Sequence, residues 1–103
     1  MATGRLGSAS LAATTDTTLY TVPAGKTASC AVNLCNTGST SVTVRIALAA
    51  ANPPVAGEYI EYEATLPAGG VLERGGIVLD AGKLLVVRAS ATGVNANAWG
   101  YEE

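Results

Sequence analysis

Ser41-Val42-Thr43-Val44-Arg45-Ile46-Ala47-Leu48 alternates polar or small residues with branched apolar ones, without a break. Successive side chains of an extended chain point to opposite sides, so this octet reads as a β-strand with one buried face. Val42, Val44, Ile46 and Leu48 are its inward set. Upstream, Ala28-Ser29-Cys30-Ala31-Val32-Asn33-Leu34 repeats the pattern, with Cys30, Val32 and Leu34 inward. Asn36-Thr37-Gly38-Ser39 between the two is turn chemistry, and the spacing predicts a hairpin.

Further along, Tyr59 to Leu66 predicts a third strand, with Ile60, Tyr62, Ala64 and Leu66 inward and Tyr59, Glu61, Glu63 and Thr65 outward. Val71 to Leu79 predicts another, broken by Gly75-Gly76 into a bulge or bend. Leu84 to Ala89 is apolar on both faces, with Arg88 closing the outer one. Such a strand is central or covered by a neighbour. A last strand ends at Trp99-Gly100-Tyr101, Leu19 to Val22 opens the core, and Leu6 to Ala12 adds an edge. The inward sets place Val32, Leu34, Val44, Ile46, Ile60, Leu66, Leu85 and Val87 in the core.

No window shows apolar spacing of three and four with a cap, so helix is not expected. Val22-Pro23-Ala24-Gly25-Lys26, Leu66-Pro67-Ala68-Gly69-Gly70 and Leu79-Asp80-Ala81-Gly82-Lys83 share one turn chemistry, a strand end followed by a Gly suited to positive φ. Seven or eight strands, short turns and one long loop (Ala49 to Glu58, with Pro53-Pro54) predict an all-β antiparallel sandwich of immunoglobulin-like or jelly-roll type. Residues 1–10 read as a short N-terminal arm or edge strand, and residues 11–103 as a single sandwich domain.

Composition narrows the function. The 103 residues are 49% hydrophobic and only 14% charged, with net charge −2 and no histidine. Ordinary usage is about 25% charged, so a surface this poor in charge fits coverage by other subunits. The basic residues are scattered and form no stripe with aromatics, which argues against nucleic acid. No basic amphipathic segment points to a membrane surface, and the N-terminus has no signal-peptide apolar run, which places the chain in the cytosol or in an assembly made there.

The residues carry no catalytic, cofactor or metal constellation. Without His the commonest general base is gone, and two cysteines with no His fall short of a zinc set. Glu61 and Glu63, two apart on an outward face, read as a solvated pair and not as acid and base. Cys30 reads as a small buried hydrophobe. Cys35 has the opposite parity, near a turn, where it is an incidental thiol or a link to a neighbour. A Cys30–Cys35 bond is disfavoured, because five residues of strand separate the α-carbons by about 16 Å. Trp99 and Tyr101 share parity as core plug or subunit contact. Leu84 and Val86 point outward as bare apolar residues. Leu84, Val86, Trp99, Tyr101 and Cys35 are therefore the candidate subunit interface.

Thr18-Leu19-Tyr20-Thr21-Val22-Pro23-Ala24-Gly25-Lys26-Thr27-Ala28, followed by Val32-Asn33-Leu34-Cys35-Asn36-Thr37-Gly38, resembles a small β-sandwich module of tailed-bacteriophage virion proteins. The Tyr59-Ile60-Glu61-Tyr62 strand, the Leu79 to Gly82 turn and the Trp99-Gly100 pair continue the resemblance over about residues 11 to 102. It implies a non-enzymatic virion subunit on a tail, baseplate or capsid, assembled in many copies in the host bacterial cytoplasm. Its partners would be itself and other virion proteins. The short N-terminal extension favours an accessory or decoration subunit over a fibre. The alternative is a carbohydrate-binding module using Tyr20, Tyr59, Tyr62, Trp99 and Tyr101. The inward parity of Tyr62 leaves that alternative short of an aromatic platform.

Overall fold

The computed structural model describes residues 3–103; of the expected N-terminal arm or edge strand, residues 1–10, Met1 and Ala2 lie outside that range. The described residues form eight strands: β1 (Thr3–Ser10), β2 (Thr17–Thr21), β3 (Ala28–Asn36), β4 (Val42–Ala49), β5 (Tyr59–Leu66), β6 (Val71–Leu79), β7 (Leu84–Ala89) and β8 (Val94–Glu102). The only helical element among the described residues is a 3-10 turn, Ala56–Glu58.

One sheet has the order β1-β8-β3-β6 and the other β2-β7-β4-β5, every pair antiparallel. Only β4 and β5 are both consecutive and paired. The other six connections cross from one sheet to the other. This interlocked double Greek key is the jelly-roll arrangement, which decides between the two sandwich types expected. It also corrects the expected β3–β4 hairpin: β3 lies between β8 and β6, and the chain then passes to the opposite sheet. The two outcomes use the same turn residues, so turn chemistry alone does not separate them.

Asn36 makes that crossing. It is buried, and its amide Nδ2 donates to the carbonyls of Thr40 (2.8 Å) and Leu66 (3.1 Å), while its Oδ1 accepts from Gly38 N–H (2.9 Å). Its backbone pairs with Gly69 and Gly70 in the β5–β6 turn. One side chain thus satisfies polar groups of two crossings, as a buried amide must.

The inner faces interdigitate as alternation requires. Leu34, Val32, Ala96 and Ala98 of one sheet meet Val44, Ile46, Leu85 and Val87 of the other. Tyr20 joins this core and donates its hydroxyl to a buried Glu102 carboxylate at 2.5 Å, tying β2 to β8 across the sandwich. Burial, and next the bond to Glu102, push the Tyr20 phenol well above its ordinary range.

Strand β5 departs from the expected faces. Leu66 and Ala64 pair with Val42 and Val44, but Ile46 pairs with Glu61 and Ala47 with Tyr59, so the register slips twice. Glu63 sits at the first slip with φ +52°, a rare left-handed conformation for a non-glycine. Each slip reverses the parity of what precedes it. Glu61, expected outside, turns toward the inner edge and pairs with Arg74 of β6. Ile60 and Tyr62, expected inside, are 41% and 60% exposed. The bulge expected at Gly75-Gly76 is present, since Cys30 pairs with Ile77 and Val32 with Arg74.

Two measurements test this packing. Ile46→Ala removes a fully buried branched side chain and should cost about 2–5 kcal/mol, whereas Ile60→Ala should cost under about 1 kcal/mol; urea denaturation of both variants checks it. Equal losses would restore the unslipped faces. The second test uses pH. The folded state raises the Tyr20 value, so its contribution is complete below the ordinary tyrosine value of about 10 and is lost as pH rises through the folded value. Unfolding free energy should therefore fall more steeply above about pH 10 in the wild type than in Tyr20→Phe. Parallel alkaline arms would rule out a protonated Tyr20 as a tie between the sheets.

Candidate functional site

Trp99 and Tyr101 stand on the outer face of β8, separated by a glycine that the geometry demands. Gly100 has φ +152°, and a Cβ there would lie 2.0 Å from the Ser29 carbonyl oxygen, so no larger residue fits between the aromatics without moving β3. Across the sheet, Trp99 faces Arg5 and Ala31, and Tyr101 faces Thr3 and Ser29. Val78 of β6 is next to Ser29. Beside Ala31 the β6 bulge offers only Gly75 and Gly76. The result is a flat end of the sheet made of small residues, with Trp99, Tyr101 and Val78 all exposed around it. Arg5 and Glu73 are the charged residues on this outer face, and Asn33, Asn97 and Asn95 line its far half.

Cys35 belongs to the same face, in the row of Asn95 and Val71. It is four residues along β3 from Ala31, or about 13 Å. Three of the five candidate interface residues, Trp99, Tyr101 and Cys35, are thus on one surface. Leu84 and Val86 are not. They lie on the outer face of the opposite sheet, so the five form no single interface.

Val86 needs a further correction. Its outward parity is right, yet it is only 2% exposed. Ala47, Ala49, Tyr59 and the partly buried Leu84 pack around it. The β4–β5 loop also reaches across β7, where Asn52 Nδ2 donates to the Asp16 carbonyl (3.2 Å) and the Thr18 hydroxyl (2.9 Å) of the β2 side. Glu58 anchors that loop by accepting from the backbone N–H groups of Ala50 and Val55, both at 2.9 Å, and these bonds hold its carboxyl below the usual range. The chain covers its own apolar residue, and Val86 offers no surface to a partner.

Next to this small outer cluster lies an open cleft of about 530 Å³, lined by Arg45, Ala56, Tyr59 and Tyr62. The tyrosine rings meet edge to face at 5.0 Å and 77°. The Arg45 guanidinium lies 4.5 Å from the Tyr62 ring centre and 5.9 Å from that of Tyr59. Its Nε and Nη2 donate to Glu63 at 3.0 and 3.2 Å, a bidentate pair that raises the guanidinium and lowers the carboxyl. Reading the sequence placed Arg45 and Tyr59 outward, which was the available signal for half of this group. Tyr62 gave none, because the slip at Glu63 is not marked by a glycine.

Two further carboxylates sit in ion pairs. Arg88 faces Asp16 at 3.4 Å, and Lys83 faces Asp80 at 3.6 Å. No group of three or more His, Cys, Asp or Glu among the described residues could hold a metal ion. Both cysteines are free thiols, Cys30 buried and Cys35 partly exposed, and burial pushes the Cys30 thiol up. No family model and no curated protein matches the chain.

The thiols give a direct check of the face assignment. A maleimide should label Cys35 in the native protein and reach Cys30 only with unfolding, because a buried thiol held above its ordinary value is rarely thiolate. Mass spectrometry of native and urea-unfolded samples should therefore show one and then two adducts. Native labelling of Cys30 ahead of Cys35 would place the faces of β3 the other way.

Proposed function

We propose that this chain is a non-catalytic structural subunit that assembles through the outer face of the β1-β8-β3-β6 sheet. One observation carries the reading: Trp99, Tyr101 and Val78 stand exposed around a flat floor of Ala31, Gly75 and Gly76, with few charges on that face. Trp and Tyr dominate binding energy where they are desolvated against a partner, and small residues between them let a flat surface approach closely. A compact chain gains nothing by leaving these rings in water.

The resemblance to tailed-bacteriophage virion modules supplies the setting. The subunit would be an accessory or decoration protein of the tail, baseplate or capsid, present in many copies and contacting itself and other virion proteins. Six of its eight carboxylates, those of Asp16, Glu58, Glu61, Glu63, Asp80 and Glu102, are engaged in ion pairs, a phenol bond or backbone caps, and both thiols are free. That disposition supports a role without catalysis. Jelly-roll sandwiches serve in viral capsids and in lectins alike, so the fold is compatible with this reading without selecting it.

Sedimentation of the purified chain, and its co-purification with particles of the parent phage, test the proposal. Wild type should self-associate or incorporate. Trp99→Ala and Val78→Lys should weaken either by about tenfold or more, because each removes or charges a contact that becomes desolvated. Both positions are exposed, so thermal melts should stay close to wild type. A wild-type chain that remains monomeric at high concentration and never enters particles would overturn it, as would variants that assemble normally.

A further inference from the structure

The Tyr62 cleft lies on the opposite side of the sandwich from the Trp99 face, and its chemistry is different. Tyr62 is 60% exposed, yet it is held in place by the Arg45 guanidinium over its ring and by the edge contact with Tyr59. An exposed ring fixed by its neighbours is preorganised for stacking, since little side-chain freedom is left to lose on binding. The cleft volume of about 530 Å³ is within the range of roughly 300–1,000 Å³ usual for small-molecule sites.

Charge decides what enters. Arg45 is matched by Glu63, and Arg88, directly across from it on β7, by Asp16. An anion would have to compete with Glu63 for Arg45, and a cation would meet a guanidinium already placed over the ring. A neutral ligand meets neither penalty. The Arg45–Glu63 pair then matters for its hydrogen bonds. Glu63, gripped on one side by Arg45, keeps lone pairs for ligand hydroxyls, because a carboxylate accepts about four bonds. An aromatic plane beside a fixed, charge-assisted acceptor suits a molecule with one apolar C–H face and a hydroxylated rim. We propose that the cleft lined by Arg45, Ala56, Tyr59 and Tyr62, with Glu63 bonded to its Arg45, binds a neutral hexose unit of a glycan. This inference is independent of the assembly face, and a subunit docked through Trp99 would turn the cleft outward.

Amide NMR titrations with glucose, galactose, mannose, N-acetylglucosamine, lactose and maltose test it, at concentrations on the order of 10 mM, which would saturate a site of about 1 mM Kd. At least one sugar should shift resonances confined to residues 43–47 and 56–63. Tyr62→Ala and Glu63→Gln should each weaken that binding by about tenfold or more while retaining a dispersed, folded spectrum. Tyr101→Ala, on the opposite face, should leave it unchanged. No shift with any of the six sugars would overturn the proposal. So would shifts that survive in Tyr62→Ala, or inorganic phosphate or choline binding the cleft more tightly than every sugar. The Trp99 and Val78 variants do not touch the cleft, so failure of the assembly reading leaves this result intact.

Discussion

The three hydrogen bonds of the Asn36 side chain sit where the chain changes sheets, and the jelly roll depends on that change. Six of the seven connections cross the sandwich, so turns cannot be stabilised by a hairpin ladder and need other partners. Asn36 supplies them for the β3–β4 turn and for the end of β5, and its backbone supplies them for the β5–β6 turn. A buried donor or acceptor left without a partner costs about 1–3 kcal/mol. An apolar residue at this position would therefore unsatisfy groups in both sheets together. The Tyr20–Glu102 bond does the same at another point of the core, joining β2 to β8.

Most of this was legible in the sequence because pleat alternation has a period of two and few exceptions. Strands β3, β4, β7 and β8 follow it, and Leu34, Val44, Ile46, Leu85 and Val87 are fully buried as their spacing required. What failed to show is whatever depends on contacts between distant segments. The Asn36-Thr37-Gly38 turn reads alike whether the next strand pairs with the last or crosses away from it. Val86 points outward as its parity says, but exposure depends on where the β4–β5 loop lies. That path is fixed by Asn52 bonding to Asp16 and Thr18, more than thirty residues away.

The faces of β5 were hidden for a different reason. A bulge at Gly75-Gly76 announces itself through its glycines, whereas the slip at Glu63 occurs at a residue that pays about 1–2 kcal/mol to adopt positive φ. Its bidentate bond to Arg45 is the local contact that offsets the strain. The Trp99-Gly100-Tyr101 face raised no such difficulty, since no slip intervenes between it and the β3 strand beside it.

The position of the slips has its own logic. β5 is an edge strand, and an edge invites pairing with any other extended chain unless its ladder is disrupted or charged. Two slips disrupt it. The parity they reverse brings Glu61 to the inner edge, where Arg74 of the opposite edge strand neutralises it and closes the open side of the sandwich. The same reversal swings Tyr62 out of the core and beside Tyr59 and Arg45. Protection of the edge and construction of the cleft are therefore one structural event. A β5 strand with regular alternation would bury Tyr62 and Ile60, expose Glu61, and leave both an unguarded edge and no cleft.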